Sequence, residues 1–127
     1  MQDDEALGSP LSRACRLQQG AAAVGFDWPD ASGPLAKVKE EIGELEREAG
    51  KGKRETVEDE IGDLLFAVVN LARKLGVDPD DALERANDKF RRRFAAVERL
   101  AESRGLELGR ASPAALDELW DEVKRRR

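Results

Sequence analysis

The sequence predicts an all-α protein, a bundle of four to five helices. Apolar residues recur every three or four positions along most of the 127 residues, which is the spacing of one face of an α-helix. No segment shows the alternating pattern of a half-buried strand. Three prolines, Pro34, Pro79 and Pro113, stand where a helix is expected to begin, and proline is favoured in a first helical turn. The length allows one domain with its own core.

Composition excludes several functional classes. The chain has no His and no Tyr, so His-based nucleophilic catalysis and zinc sites that need imidazole are ruled out. The net charge of −5 argues against binding to a nucleic acid polymer, although a bound metal and a few placed cations could still hold a nucleotide. Without a long apolar run or a signal-peptide pattern, we expect a cytoplasmic protein with no membrane partner.

The first third of the chain is predicted to form a tail, a helix and a loop. Residues 1–10 are polar and predict a disordered N-terminal tail. The first helix is expected over residues 11–24, and Gly25 ends it. The following loop is rich in turn-forming residues, and within it Phe26 and Trp28 look like apolar anchors.

Two neighbouring helices are predicted next, each with an apolar stripe expected to be buried. The second helix begins near Pro34 and ends at the turn 50–53. Its stripe consists of Leu35, Val38, Ile42, Leu45 and Ala49. The third helix covers about residues 55–75. Its buried face is predicted to contain Val57, Ile61, Leu64, Leu65, Val68, Leu71, Ala72 and Leu75.

The last two helices both show a capping residue followed by proline. Asp78 predicts the cap of a fourth helix over residues 79–103. Residues 104–111 form a loop, after which Ser112 and Pro113 repeat the same start signal. A final helix then carries the C-terminal apolar residues.

Four carboxylates border the apolar stripes of the second and third helices. Glu41 and Glu44 are three residues apart, as are Glu60 and Asp63. If the two stripes pack against each other, the four side chains approach one another at the edge of the core. Such an all-oxygen cluster suits a hard divalent cation, above all Mg²⁺. An acidic helix face is also often only a solvated surface, and both interpretations remain open; for Glu40 alone the solvated surface is favoured.

Five further residues are candidates either for a structural role or for ligand binding. Asn70, in an apolar run, is either a hydrogen-bonded core group or a ligand contact. Lys89 and Arg93 share a helix face and suit phosphate binding. Trp120 by itself predicts a core or interface anchor, and Lys124 a solvated cation near a helix end.

Four segments of the sequence, GFDWPD, KVKEEIGEL, EDEIGDLLFAVVNLARKLGVDPDDAL and ANDKFRRRFAAVE, resemble MazG-type nucleoside triphosphate pyrophosphohydrolases. The resemblance covers about residues 11–127, which we expect to form one MazG-like domain. EExxE followed by ExxD is shared across the all-α NTP pyrophosphatase superfamily, including phosphoribosyl-ATP pyrophosphohydrolase and dimeric dUTPases. The segments GDLLFAVVNLAR and KFRRRF are more specific to MazG.

The resemblance implies a role for each candidate residue. The catalytic metal ligands are expected to be Glu41, Glu44, Glu60 and Asp63, with Glu40 in a supporting position. The residues that match phosphate contacts are Lys37, Lys89 and Arg93. Trp120 and Lys124 match positions that hold the nucleotide, and Asn70 remains a candidate substrate contact. The implied cofactor is Mg²⁺, for which Mn²⁺ can substitute.

The implied reaction is NTP or dNTP plus water to NMP or dNMP plus pyrophosphate, by water attack at the α-phosphorus. Nucleotide-pool house-cleaning is the expected role. The family also implies a homodimer or higher homo-oligomer with helices packing between subunits. Many MazG proteins carry two tandem copies of the domain. This chain holds one copy that looks most like the second, active one, as a natural single-domain form or as a fragment.

Two alternatives stand beside this interpretation. One is a base-specific dNTP pyrophosphatase similar to dUTPases or dCTPases. The other is a non-enzymatic helical interaction module, which would account for the helices and the charge. It would not account for carboxylates that border the core stripes.

Overall fold

The computed structural model describes residues 8–126 and contains five α-helices. They are α1 (Pro10–Ala23), α2 (Ser32–Glu48), α3 (Arg54–Lys74), α4 (Pro79–Ser103) and α5 (Pro113–Arg126). No strand occurs within the described residues, so the all-α prediction is confirmed. Most of the predicted N-terminal tail, residues 1–7, lies outside the described part of the chain.

The predicted helix caps are confirmed by their hydrogen bonds. Asp78 Oδ1 accepts from the backbone N–H groups of Asp80 at 2.9 Å and Asp81 at 3.1 Å. Ser112 Oγ accepts from the N–H of Ala115 at 3.1 Å. In both helices the side chain satisfies N–H groups that have no partner within the helix.

Helix ends agree with the sequence to within two residues. Gly25 and Gly76 follow α1 and α3 with φ of 93° and 73°, a conformation in which glycine commonly ends a helix. α2 begins at Ser32, two residues before the expected Pro34. The loop after α4 contains a short 3₁₀ turn, Leu108–Arg110, that the sequence did not predict.

The chain divides into two compact units, and the first extends to Ala82. Within it, α2 and α3 pack along each other and α1 packs on α3. A connection of only five residues, 49–53, joins α2 to α3. Glu41 and Glu60 lie at similar distances from this connection and meet in space, so the two helices form an antiparallel hairpin.

Polar contacts attach α1 to the rest of the first unit. The side-chain amide of Gln18 donates through Nε2 to the backbone carbonyl of Phe66 on α3 at 3.0 Å. At the start of α1, the hydroxyls of Ser9 and Ser12 donate to the carboxylate of Asp80. The start of α1 is therefore tied to α4, and its middle to α3.

The second unit begins at Leu83 and contains the remainder of α4 together with α5. Its buried apolar residues are Val97, Leu100, Ala101, Leu119 and Val123. Glu122 accepts from Arg104 Nη2 at 2.8 Å and from Arg126 Nη2 at 3.1 Å. The core of this unit thus lies between facing sides of α4 and α5.

The expectation that the apolar stripes would be fully buried is wrong for a single chain. On α3, Ile61, Leu65 and Val68 are exposed, whereas Ala67 and Val69 are the buried residues. Leu75 of the predicted α3 stripe is exposed as well, and so are Leu35 and Ile42 of the predicted α2 stripe and the apolar residues Phe90 and Phe94 of α4. The reason is geometric: α1 and α2 cover only part of the surface of α3, and its apolar face is wider than that contact.

None of the helices in the described part of the chain is both long and apolar enough to cross a bilayer.

Candidate active site

Three carboxylates meet where α2 and α3 pack together. Glu41, Glu60 and Asp63 each offer an oxygen, and these oxygens lie within 4.8 Å of one another. Glu60 and Asp63 are one helical turn apart on α3, while Glu41 faces them from α2. Glu41 is buried, Glu60 partly buried and Asp63 exposed. The carboxylate cluster, as we call these three residues, therefore opens from the protein interior to solvent.

Crowding of negative charge is visible at Glu60. Burial raises the pKa of Glu60 above its usual value, and the charge of Glu41 raises this pKa further. Glu44 and Asp63 add to the same effect. Because like charges at this separation disfavour ionisation, a cation at the cluster would relieve the repulsion.

Lys37 supplies the cation that balances the buried end of the cluster. Its Nζ lies 3.3 Å from Glu41 Oε1 and 3.6 Å from Glu40 Oε1. The hydrogen bond to Glu41 and the charge of Glu40 raise the pKa of Lys37. Lys37, predicted as a phosphate contact, thus lies at the edge of the cluster, and Glu40 pairs with it.

Glu44 lies beside the cluster rather than within it. Its Oε1 is 2.9 Å from Arg47 Nη2, one turn along α2. Its charge still contributes to the raised pKa of Glu60. The structure therefore brings together three of the four predicted metal ligands and places the fourth next to them, paired with an arginine.

The donor set of the cluster fits a hard divalent cation. It consists of carboxylate oxygens alone and includes no sulfur or imidazole nitrogen. One end is open to solvent, so the remaining positions around an ion could be filled by water or by phosphate oxygens. These are the properties of protein Mg²⁺ sites.

Asn70 is part of a polar network on α3. Its Oδ1 accepts from Arg73 Nη2 at 2.7 Å and from Nε at 3.2 Å. Arg73 also contacts Asp27 in the loop after α1, with 2.5 Å between Nη2 and Oδ1, and Lys74 adds a contact at 3.1 Å. These two cations, Arg73 foremost, hold the pKa of Asp27 well below its usual range. The network fixes the loop to α3.

A cavity of about 380 Å³ adjoins this network within the first unit. Its walls come from α1, the loop and α3, and include Leu17, Gln18, Phe26, Trp28, Phe66 and Asn70. We call it the Gln18 cavity. Sequence reasoning missed Gln18, which is only 6% exposed. A signal was present, because Gln18 lies four residues from both Ala14 and Ala22 on the apolar face of α1.

The predicted phosphate-binding cations of the second unit lie together. Lys89, Arg93 and Lys124 line one groove of about 660 Å³ between α4 and α5. Arg92 and Arg99 line it as well. A groove with this many cations is suited to a polyanionic ligand.

Trp120 borders a different cavity of the second unit. Its ring centroid is 5.6 Å from that of Phe90, which in turn stacks with Phe94 at 5.8 Å. The three rings line an aromatic cavity of about 540 Å³, and Trp120 also packs against the core of the unit. The structure therefore does not place Trp120 in the groove of Lys89, Arg93 and Lys124.

An antiparallel helical hairpin with an oxygen-only acidic cluster defines this chain as a domain of the all-α nucleotide pyrophosphohydrolase class. The family model of the MazG nucleotide pyrophosphohydrolase domain matches residues 32–97, which include α2, α3 and most of α4. The chain belongs to the MazG family.

Similar proteins occur in distant bacteria. The chain is 46% identical over 117 residues to a protein of Escherichia coli K12 named nucleoside triphosphate pyrophosphohydrolase. It is 47% identical over 114 residues to a Thermotoga maritima protein named nucleoside triphosphate pyrophosphohydrolase/pyrophosphatase MazG. The matches cover 91% and 90% of this chain but 44% of each relative. A shorter match, 49% over 65 residues, is to the uncharacterised Bacillus subtilis protein YabN, of which it covers 13%.

Proposed function

We propose that this protein is a Mg²⁺-dependent nucleoside triphosphate pyrophosphohydrolase. It converts NTPs and dNTPs to the monophosphates and pyrophosphate, and so removes unwanted nucleotides from the pool. The observation that carries the proposal is the cluster of Glu41, Glu60 and Asp63 in a chain of the MazG family. The names of two relatives that match nearly the whole chain support the same activity.

In this proposal the metal is held by the carboxylate cluster, and Glu44 lies beside the metal site. A Mg²⁺ ion held there would supply charge neutralisation of the phosphate oxygens and orientation of the attacking water. The cluster is suited to this task because its Asp63 end is open to solvent and can admit a phosphate chain. Mn²⁺, with the same preference for oxygen ligands, is expected to substitute.

Glu44 is the residue we propose as the proton acceptor. Its Oε1 is held by Arg47, which leaves Oε2 to accept a proton from the attacking water. Water oxygen forms the new bond to the α-phosphorus as the bond to the bridging oxygen of the β-phosphate breaks. Glu41 is a poorer choice, since it is buried and paired with Lys37.

Basic side chains are proposed to hold the phosphates. Lys89, Arg93 and Lys124 line one groove and would bind the β- and γ-phosphates, stabilising the pyrophosphate leaving group. Lys37, at the edge of the cluster, would contact a phosphate oxygen in addition to Glu41. Phosphoryl transfer depends mainly on positioning and charge stabilisation, so this set needs no protein nucleophile.

The nucleoside has two candidate positions. Trp120 is the one that the family resemblance implies, through stacking on the base. Its ring borders the aromatic cavity with Phe90 and Phe94. The other position is the Gln18 cavity of the first unit, where Asn70 would be a substrate contact.

A substrate panel tests the proposed activity. The four NTPs and four dNTPs are incubated with the protein, with and without Mg²⁺, and the phosphorus products are identified. We expect monophosphate and pyrophosphate, and no turnover when EDTA removes the metal. Release of inorganic phosphate with a diphosphate would contradict the proposal, as would a lack of turnover on every substrate.

The same panel separates the alternatives. A base-specific dNTP pyrophosphatase would hydrolyse one deoxynucleotide far faster than its ribose counterpart and the other bases. A non-enzymatic helical module would hydrolyse none of them with Mg²⁺ present.

A further inference from the structure

The groove between α4 and α5 of the second unit carries more positive charge than a leaving pyrophosphate needs. We call this groove of about 660 Å³ the cationic groove. Its cationic lining residues are Lys89, Arg92, Arg93, Arg99, Lys124 and Arg126, and none of its lining residues in the described part of the chain is acidic. The proposed contacts to the β- and γ-phosphates use only three of these six cations.

Most cations of the groove are available to a ligand. Within residues 8–126, Arg126 alone among the six forms an ion pair, with Glu122 at 3.1 Å. By contrast, Arg91 on the same helix does not line the groove and is paired with Asp88 at 3.2 Å. Unpaired like charges in one groove repel one another, so a polyanion bound there would relieve the repulsion.

The floor of the groove is apolar. Ala96, Leu100 and Val123 contribute to the lining, and the last two belong to the buried core of the unit. Clefts with charges of one sign and low-dielectric walls focus the electric field. An anion in the groove is therefore attracted more strongly than at an open surface.

The row of cations along α4 is longer than two phosphates. Arg99 lies ten residues beyond Lys89 and six beyond Arg93, or about 15 and 9 Å along the helix at its usual rise. Two phosphates that share one bridging oxygen need only the part of the groove around Lys89 and Arg93. The part that contains Arg99 can hold further phosphates of the same chain.

The lining of the groove favours a phosphate chain over a nucleic acid. Sites for single strands combine a cationic groove with aromatic side chains on which bases stack. No aromatic residue lines the cationic groove in the described part of the chain, since Phe90, Phe94 and Trp120 line the separate aromatic cavity. A condensed phosphate has no ring to stack, and its oxygens match the fork of an arginine.

We propose that the cationic groove binds linear condensed phosphate chains longer than pyrophosphate, with Arg99 contacting phosphates beyond the second. The chain is either inorganic polyphosphate or the tail of a nucleoside tetraphosphate. Binding of the inorganic chain goes beyond the proposed function and does not depend on hydrolysis. Turnover of the nucleoside tetraphosphate rests on the proposed function.

The reaction of adenosine tetraphosphate would follow the scheme proposed for triphosphates. The water oxygen forms a bond to the α-phosphorus, and the bond from this phosphorus to the bridging oxygen of the β-phosphate breaks. The electron pair of that bond leaves with tripolyphosphate, and the proton of the water passes to Glu44. The products are AMP and tripolyphosphate.

Calorimetric titration with inorganic chains tests the groove without any nucleotide. Pyrophosphate, tripolyphosphate and tetrapolyphosphate are titrated into the unaltered protein in EDTA, so that no metal at the carboxylate cluster contributes to binding. We expect the affinity to rise with chain length, and tetrapolyphosphate to bind about tenfold or more tightly than pyrophosphate, because added phosphates make added charge-assisted hydrogen bonds.

Arg99→Ala is the test of the added contact. It should lower the affinity for tetrapolyphosphate by about fivefold or more and that for pyrophosphate by less than twofold. Arg91→Ala removes the same charge outside the groove and should change both affinities by less than twofold. Both side chains are exposed, and the melting temperatures of the variants check that they are folded.

Initial rates distinguish the two sources of the chain. If the ligand is a nucleotide tail, Arg99→Ala should lower kcat/KM for adenosine tetraphosphate by about fivefold or more and that for ATP by less than twofold. If it is inorganic polyphosphate, only the affinity for tetrapolyphosphate should fall. A protein that binds tetrapolyphosphate through Arg99 but hydrolyses no nucleotide would refute the proposed function and leave the groove assignment standing.

Three outcomes would overturn the inference. The first is equal affinity for pyrophosphate and tetrapolyphosphate. The second is an equal loss of both affinities in Arg99→Ala. The third is tighter binding of a short oligothymidylate than of tetrapolyphosphate, which would identify the groove as a nucleic-acid site.

Discussion

At the residue scale, the informative side chains are charged groups held close to apolar surfaces. Glu41 is 6% exposed and is balanced by Lys37 at 3.3 Å. Glu60 carries a raised pKa, caused by burial and by its acidic neighbours. Carboxylates held this close together raise the free energy of the metal-free protein, and a bound cation would lower it.

Glu60→Gln should separate stability from activity. The substitution keeps the shape of the side chain and removes one charge, so the melting temperature of the protein in EDTA should rise. Pyrophosphate release in Mg²⁺ should fall by about 10²-fold or more, since a metal ligand is lost. Glu58→Gln, at an exposed position of the same helix, is the control. Near-normal turnover in Glu60→Gln would disprove the ligand assignment.

Asp27 should make the stability of the loop after α1 depend on pH in the acidic range. Its pKa is depressed, chiefly by Arg73, so its stabilising contribution is complete above the unfolded pKa of about 3.9 and is lost as pH falls through the lower folded value. Asp27→Asn should lower the melting temperature at pH 7, and the difference from the unaltered protein should shrink only below about pH 4. Thermal melts from pH 7 to pH 2 measure this. A difference that already vanishes at pH 5 would contradict it.

At the element scale, α3 and α4 each contribute side chains to two different sites. α3 presents its carboxylates to α2, and farther along presents Phe66 and Asn70 to the Gln18 cavity. On α4, Lys89 and Arg93 line the cationic groove, whereas Phe90 and Phe94 line the aromatic cavity. Shifts of one residue along a helix turn a side chain by about 100°, which is why adjacent positions serve different sites.

Arg93→Ala tests the groove on α4. Because Arg93 is proposed to bind the β- and γ-phosphates, its loss should lower kcat/KM for NTPs by about 10- to 100-fold and change the affinity for NMP by less than twofold. Arg91→Ala is the control, since Arg91 is paired with Asp88 at 3.2 Å and does not line the groove. Titrating NMP by calorimetry and measuring initial rates provides both numbers. An equal loss for NTP and NMP would show that Arg93 does not contact the outer phosphates.

At the scale of the whole molecule, the unusual feature is the amount of exposed apolar surface. Large apolar side chains that are 40% exposed or more include Leu35, Ile42, Ile61, Leu65, Val68, Phe90 and Phe94. Exposed apolar side chains in this number on a folded chain commonly mark an interface between proteins. We propose that a second copy of the chain covers them in a homodimer or higher homo-oligomer.

Sedimentation tests this proposal. At micromolar concentration we expect a species of at least twice the 14.0 kDa chain mass, because exposed apolar area of this extent favours association. Leu65→Glu, which places a charge at a 51% exposed apolar position of α3, should shift the protein toward monomer. A strict monomer for the unaltered chain would refute the assembly.

Sequence reasoning was accurate where the determining interactions are local. The capping bonds of Asp78 and Ser112 are made to residues two or three positions away, and the side-chain type alone predicts them. Likewise, the spacing of Glu60 and Asp63 on one helix places both on the same face. The two acidic pairs could therefore be predicted as neighbours once the two helices were expected to pack.

The sequence by itself determined the all-α fold, the helix starts and stops, and the acidic pairs along α2 and α3. Only the tertiary structure decided that Glu41 is the α2 carboxylate that meets Glu60 and Asp63 and that Arg73 binds Asp27 in the loop after α1. It also decided that Gln18 is buried against Phe66 in a cavity. The physical reason is that helical periodicity specifies which face a residue occupies, whereas its partner depends on how far neighbouring helices cover that face.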